Sequence, residues 1–329
     1  MEAYDILQAV ESNAQARVLA TVIHVEGHAY RKQGAVMLLM ADESSLGSIS
    51  PGCLEADLFA YVPAVWESQK PQMVEYDMRP ADDFGWGETI GCGGVIRILL
   101  EPVSGELLVN LLVVKASLDR GESVQLLRTF SDGYSNISYT LCDPDERVPS
   151  DRHAVYASLF TPKPRVIVFG ANPDAMPLAQ MAASVGFRVV VADWREAFCN
   201  VERFPGAETV VAFPEQLVEQ LKLNAQDYVI VMSHQFEKDS AFVRGAMESS
   251  LRYLGIMGSR DRTEKMLERL ERPDCLHYPV GLNIGSEGPV ENAVSIVAEL
   301  IRMKRGVRTT GERGSSAAMG RDIQSCRLW

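Results

Sequence analysis

Two short turns place a cysteine beside glycine. One reads Ser50-Pro51-Gly52-Cys53-Leu54-Glu55 and the other Gly91-Cys92-Gly93-Gly94. Glycine permits positive φ and leaves room for close approach of a ligand. A thiol on such a turn can serve as a nucleophile or a soft metal ligand; the alternative for each is a small buried residue in a tight turn. The first turn is expected between a strand and a helix, whose N-terminus would lower the Cys53 pKa. Glu55 then reads as an acid favoured by the helix dipole or as a proton-transfer group beside Cys53. The second turn is expected just before a strand.

A different chemistry is spelled further along. Gly170-Ala171-Asn172-Pro173-Asp174-Ala175 follows an apolar run and opens a helical pattern, and Asp193 ends the next apolar run. That is the setting of a dinucleotide fingerprint: phosphate at a helix N-terminus and ribose hydroxyls on the acid. Asn172 stands where the pattern has its second glycine, so a Cβ would crowd a pyrophosphate there. Gly255-Ile256-Met257-Gly258-Ser259-Arg260 reads either as a phosphate nest or as a tight turn capped by Ser259. Ser233-His234 ends a strand at the same expected edge, where open α/β sheets bind ligands. His24 and His28 lack the helical face of a zinc site.

These residues need positioning. Arg17–Glu26 and Ala35–Met40 read as strands, Cys53–Glu67 as a helix, Met73–Met78 and Val95–Leu100 as strands, and Leu107–Leu118 as a buried helix. Val124–Phe130 and Ile137–Cys142 flank a hairpin turn. Prolines at 144, 149, 162 and 164 mark a linker. Beyond it, strands at Arg165–Phe169, Arg188–Ala192, Thr209–Ala212, Asp227–Ser233 and Tyr253–Met257 alternate with helical segments. That alternation predicts a parallel, doubly wound sheet. Pro289 opens a last helix. The expected fold is α/β, an N-terminal α/β domain followed by a Rossmann-like parallel-sheet domain. The expected divisions are 1–145, a linker over 146–163, a Rossmann-like domain over 164–303, and a basic Gly/Ser-rich tail over 304–329.

Bulk properties limit the function classes. The chain has 329 residues and a formal net charge of −12, with 47% hydrophobic and 23% charged residues. An acidic surface argues against broad nucleic-acid or anionic-membrane binding. The six cysteines show no C-x-x-C spacing, so neither a disulfide framework nor an iron–sulfur pattern is present. No signal peptide or membrane-spanning run is legible, which makes the reduced cytoplasm the expected compartment. Cys142, Cys199, Cys275 and Cys326 read as structural or surface thiols.

In this order the segments resemble the XdhC/CoxI family, the xanthine dehydrogenase accessory factors. The likeness runs from about Val18 to Met303. It rests on Gly27–Met37, Gly47–Glu55, Gly91–Gly94, Phe169-Gly170-Ala171, Asp193-Trp194-Arg195, Ser233-His234, Tyr253–Arg260, Gly281–Gly285 and Ala293–Glu299. The resemblance implies a cytoplasmic maturation factor, and more a cofactor-binding chaperone than a stand-alone enzyme. It would bind molybdenum cofactor (molybdopterin) transiently, support its sulfuration and pass it to an apo xanthine dehydrogenase or related molybdenum hydroxylase. A cysteine desulfurase and a second copy of the chain are the other implied partners.

On this reading Cys53 and Cys92, with Glu55, meet the metal end, set by Gly52, Gly91, Gly93 and Gly94. Gly170, Asn172, Asp193, Arg195, His234, Gly258, Ser259 and Arg260 meet the phosphate or ribose end. Three departures from the family stand out. Pro51 and Asn172 occupy positions where the family often has glycine, and His28 replaces a common serine. Two rival classes remain: an NAD(P)-binding oxidoreductase with His234 as its acid–base group, and a non-catalytic subunit of a hydroxylase complex.

Overall fold

The computed structural model describes residues 2–12, 17–79, 94–131, 134–146, 155–268 and 270–306. Gly91, Cys92, Gly93, Cys326 and the tail beyond Gly306 lie outside the described residues. The chain divides into two compact units, Met1–Lys163 and Pro164–Trp329.

The first unit is built on antiparallel pairing. Helix α1 (Glu2–Ser12) precedes strands β1 (Arg17–Glu26), β2 (Val36–Met40) and β3 (Ser45–Gly47). Helix α2 (Glu55–Ser68), β4 (Gln72–Asp77), β5 (Val95–Pro102) and α3 (Gly105–Asp119) follow. The order β3-β2-β1-β5-β4 makes a five-stranded sheet. β1 lies at its centre, and successive side chains of a strand face opposite ways. Val18, Ala20 and Val22 therefore pack with Leu58, Val62 and Val65 of α2. Leu19 packs on the other side with Leu7 of α1 and Leu111 of α3.

A smaller sheet completes this unit. Strands β6 (Val124–Ser131), β7 (Asn136–Cys142) and β8 (Val155–Phe160) lie in the order β7-β6-β8. The residues expected to be linker thus contain a strand. β8 pairs antiparallel with β6 from Val124↔Phe160 to Thr129↔Val155. The prolines that suggested a linker flank this strand and leave its backbone donors intact. Arg128 of β6 and Glu101 of β5 form an ion pair at 2.8 Å, with side chains 1% and 0% exposed. A cavity of about 400 Å³ adjoins the pair, lined by Leu7, Leu19, Leu111, Arg128, Tyr156 and Ser158 among others.

The second unit is the expected parallel sheet. Its elements are β9 (Arg165–Phe169), α4 (Ala175–Ser184), β10 (Arg188–Asp193), β11 (Glu208–Val211), α5 (Pro214–Leu221) and β12 (Tyr228–Val231). Then come α6 (Phe236–Ala246), β13 (Tyr253–Ile256), α7 (Arg260–Met266), β14 (Leu276–His277) and α8 (Gly288–Arg305). The order β11-β10-β9-β12-β13-β14 is the doubly wound dinucleotide-fold order. Leu178 and Ala182 of α4 cover one face together with Ile296 and Leu300 of α8. Leu217 of α5, Phe242 of α6 and Met266 of α7 cover the other. Burial on both faces explains why β9, β10, β12 and β13 read as continuous apolar runs.

One buried carboxylate ties the far edge of this sheet to α8. Glu299 accepts from Tyr253 Oη at 2.7 Å and from the Gly281 N–H at 2.7 Å, and meets His277 Nδ1 at 3.1 Å. Burial alone would raise its pKa, but His277, Tyr253 and the Gly281 amide together lower it from 4.5 to about 2. A depressed carboxylate stabilises the fold fully above its unfolded pKa, and that contribution is lost as pH falls through the folded value. Stability of this unit should therefore decline between about pH 4.5 and about pH 2, by on the order of 2–3 kcal/mol from this group. Glu299→Gln should flatten that part of a urea-unfolding profile measured against pH. An unchanged slope would show that other carboxylates set it.

Candidate functional site

Cys53 sits on a turn braced by its own neighbours. The Ser50 and Ile49 amides donate to Glu55 Oε1 at 2.7 and 3.2 Å, and the Ser50 hydroxyl donates to Glu55 Oε2. Ser50 Oγ in turn accepts from the Gly52 and Leu54 amides, each at 3.1 Å. Gly52 has φ +121°, and a Cβ there would meet nothing within 4 Å. The turn therefore needs glycine for its backbone and has open space beside it. Burial pushes the Glu55 carboxyl up, but its bonds to Ser50 and Ile49 outweigh this and hold it below the usual range. Of the two readings of Glu55, the geometry favours the anchor: both oxygens are engaged in fixing the turn.

The thiols differ in their surroundings. Cys53 is half-buried against the apolar cluster that holds Val25, Ala29 and Met78. Among the described residues its sulfur has no hydrogen-bond partner. Cys199 donates to Val191 O at 3.3 Å, and Cys142 approaches Gln125 O at 3.7 Å. Burial raises the pKa of Cys142, Cys199 and Cys275. Those three thiols are poorer sources of thiolate.

Gly94 marks where the chain enters β5 from the segment bearing Cys92. Its carbonyl accepts from the Met78 amide at 2.9 Å. A Cβ on Gly94 would lie 2.3 Å from Glu26 O and 2.7 Å from His28 O. The glycine is thus required by close backbone packing at the end of β1. Met78 belongs to the cluster under Cys53, so Gly94 at the start of β5 is tied to the same end of the five-stranded sheet as the Cys53 turn.

In the second unit the Gly170 turn lies between β9 and β12, at the topological switch point. Gly170 has φ +114°, and a Cβ would stand 2.5 Å from Ser233 N and Cα. Gly170→Ala should therefore cost more than about 2 kcal/mol, through strain and backbone collision. Urea unfolding would read this loss, and a drop below about half that size would mean the turn can relax.

The amides around this turn are largely engaged. The Ala171 N–H donates to Asp193 Oδ2 at 2.7 Å. Asn172 caps α4, with Oδ1 accepting from the Ala175 N–H at 3.1 Å and Nδ2 donating to Met232 O. Pro173 and Pro177 carry no N–H. Asp174 brings a carboxylate to the same end, 3.7 Å from His234 Nε2. The expectation of a phosphate cradle at this helix end meets a site short of donors. His234 holds φ +62°, an uncommon backbone for a residue with a side chain.

Asp193 departs from its expected part as a ribose acceptor. Its side chain is 0% exposed. Oδ1 accepts from the Arg195 N–H and Nε at 2.8 and 2.9 Å. Oδ2 accepts from Arg195 Nη2 at 2.7 Å in addition to the Ala171 amide. Each oxygen already accepts two hydrogen bonds, about its full capacity. Asp193 therefore fixes Arg195 and the Gly170 turn, and the pairing holds the Arg195 guanidinium in its charged form.

At the next turn, Gly258 has φ +135° and Ser259 Oγ caps α7 by accepting from the Arg262 N–H at 3.3 Å. Arg260 is exposed. Arg262, which the sequence did not single out, reaches inward instead. Its Nη2 donates to Asp239 Oδ2 at 2.6 Å, and Asp239 Oδ1 accepts from the Ser233 hydroxyl. Sequence reading also passed over Arg203, Phe213 and Lys238. Their only signal was position: Arg203 in the connection from β10 to β11, Phe213 just past β11, and Lys238 in the first turn of the helix after β12. Among the described residues no group of three or more His, Cys, Asp or Glu could hold a metal ion. No helix there is long and apolar enough to cross a membrane.

An antiparallel unit with a thiol on a glycine turn, followed by a unit of doubly wound parallel-sheet topology, defines a two-part α/β protein. The chain matches the XdhC Rossmann domain over residues 166–300 and the XdhC and CoxI family over residues 11–77. A Bacillus subtilis (strain 168) protein, named as a probable xanthine dehydrogenase subunit, is 35% identical over 323 residues, spanning 92% of this chain and 98% of that one. The molybdenum cofactor insertion chaperone PaoD of Escherichia coli (strain K12) is 22% identical over 301 residues, spanning 89% and 85%. A solved Bacillus halodurans structure, described as a xanthine dehydrogenase (BH1974), is 37% identical with a TM-score of 0.86 and covers 95% of this chain and 98% of that one. The chain belongs to the XdhC/CoxI family.

Proposed function

We propose that this protein is an accessory factor in the maturation of a xanthine dehydrogenase or related molybdenum hydroxylase. It binds molybdenum cofactor as cargo, supports its sulfuration, and hands it to the apo-enzyme. Family membership and the name of the PaoD relative support the accessory role. The observation that carries the residue assignment is the partly exposed Cys53 thiol on a turn fixed by Glu55 and open beside Gly52.

Cargo of this kind has a soft, dithiolene-bound metal at one end and a phosphate at the other. A thiolate is the side chain suited to the first. Cys92, on the segment that enters β5 at Gly94, is the second thiol proposed for that end. Arg195 is the preorganised cation for the anionic end, and the exposed Arg260 beside Gly258 and Ser259 is a second. A cysteine desulfurase supplies the sulfur, and the protein acts as a homodimer in the cytoplasm.

The test is mass and metal analysis of protein purified from a host that makes the cofactor. Wild-type protein should carry molybdopterin and molybdenum. Absence of both, with the apo-hydroxylase co-expressed, would overturn the reading.

A further inference from the structure

The carboxyl edge of the parallel sheet carries a cation–aromatic group that cofactor delivery by thiols does not explain. The Arg195 guanidinium is fixed on three sides. Asp193 binds Nε and Nη2 along one edge, and the rings of Trp194 and Phe198 cover its faces with Cζ 4.6 Å from each centroid. Among the described residues Nη1 has no acceptor, which leaves it for a further one. Arg203 stacks on the same Phe198 ring at 5.0 Å. Lys238 Nζ lies 6.0 Å from the Trp194 centroid and 4.7 Å from that of Phe213.

Exposed carboxylates do neighbour these cations in sequence: Glu196, Glu202 and Glu237. Yet among the described residues neither Arg203 nor Lys238 has a carboxylate partner. Phe198 and Phe213 are 38% and 52% exposed, a costly display of ring surface in a folded protein.

Place gives these residues meaning. Trp194 and Arg195 follow β10, Phe213 follows β11, and Lys238 stands in the first turn of α6 after β12. In this strand order the ribose of a bound nucleotide lies at the end of the second strand, here β10. An acid at that point receives ribose hydroxyls, whereas an arginine receives a ribose phosphate. Asp193 is buried and saturated, so the group that meets the ligand is Arg195. The engaged amides at the Gly170 turn leave little to hold a pyrophosphate, so the ribose phosphate becomes the anchor. The exposed Phe213 ring is a stacking surface for the base.

We propose that this edge binds a nucleotide bearing a monoester phosphate on its ribose, of the NADP+ class, and discriminates against its unphosphorylated counterpart. The phosphate sits on Arg195 Nη1 with Lys238 and Arg203 beside it. A guanidinium already locked in place loses little freedom on binding, which favours affinity. The inference goes beyond the reading above: it keeps Arg195 as the anion-binding cation but gives it a nucleotide's ribose phosphate in place of the pterin's phosphate, and it needs no thiol.

The test is titration calorimetry on the full chain with NADP+, NAD+, 2′-AMP, adenosine and inorganic phosphate. NADP+ and 2′-AMP should bind, with NAD+ and adenosine weaker by about tenfold or more, as expected for a charge-assisted contact. Arg195→Ala should abolish the preference, but it also strands the buried Asp193. Lys238→Ala leaves Asp193 paired and should shrink the NADP+/NAD+ ratio severalfold with an unchanged circular dichroism spectrum. Equal binding of NAD+ and NADP+ would overturn the proposal. So would no binding at millimolar ligand, or inorganic phosphate binding as tightly as 2′-AMP. The same titration on Cys53→Ala keeps the two readings apart. Nucleotide binding should persist there while cofactor retention is lost, and failure of the titration alone leaves the thiol assignment standing.

Discussion

Replacing Cys53 with alanine should lower molybdopterin retention by at least about tenfold, the equivalent of one lost metal–thiolate or comparably strong contact. Delivery to a co-expressed apo-hydroxylase should fall with it. The expectation rests on contrast within one chain. Burial raises the Cys142, Cys199 and Cys275 thiols, and the first two point their sulfur at backbone carbonyls. Cys53 is partly exposed, has no such partner among the described residues, and lies just ahead of α2. Alanine leaves the Ser50–Glu55 bracing untouched, so the fold should be unaffected.

Cys53→Ser, which keeps size and polarity but removes the soft sulfur, should behave like alanine. If serine retains the cargo, the sulfur is not what binds it. Cys142→Ala is the internal control and should retain cargo at the wild-type level. Cys92→Ala, and the double variant with Cys53, measure whether the thiols act together. Full delivery by the double variant would remove the thiol assignment altogether.

Why the Gly52 turn was legible in the sequence, and the setting of Asp193 less so, has a physical basis. A glycine beside a cysteine signals a backbone requirement, and Gly52 indeed holds φ +121°. Parallel strands buried on both faces announce themselves as apolar runs, so β9, β10, β12 and β13 could be read. β8 was hidden among prolines whose positions turned out to flank it. α1 was missed because its short acidic segment is stabilised by tertiary packing of Ile6, Leu7 and Val10, not by local signals.

The roles of Asp193 and Asn172 depended on partners distant in sequence. Asp193 meets the Ala171 amide across two strands, and Asn172 meets Met232 O. Periodicity carries no information about such saturation. A motif scan counts an acid at the end of the second strand without asking whether its lone pairs are already engaged. Here Asp193 has its lone pairs engaged, and the contact proposed for a ligand passes to the arginine two residues on.

Removing either partner of the Arg128–Glu101 pair should be the most destabilising single change in the first unit. Arg128 Nε donates to both Glu101 oxygens at 2.8 and 3.0 Å, Nη1 donates to Ser158 Oγ at 2.9 Å, and Tyr139 Oη donates to Glu101 Oε1 at 3.0 Å. Four strands from two sheets thus meet at one buried charge pair. Burial would lower the Arg128 pKa, but the Glu101 charge overcomes it and holds the guanidinium protonated. Arg128→Met leaves a buried carboxylate with only Tyr139 to satisfy it, a loss of about 3–5 kcal/mol.

A cavity of about 400 Å³ is lined by Arg128, and water admitted there would bring the loss toward the lower end of that range. The double variant Arg128→Met with Glu101→Leu removes both charges together. It should recover all but about 1–3 kcal/mol, the remainder reflecting the Tyr139 and Ser158 hydroxyls left without partners. Native-state hydrogen exchange of β5 and β6 amides reads this unit specifically. A single variant costing less than about 1 kcal/mol would mean that the pair is already solvated through the cavity, and a double variant no better than the singles would show that packing, not charge, sets the loss.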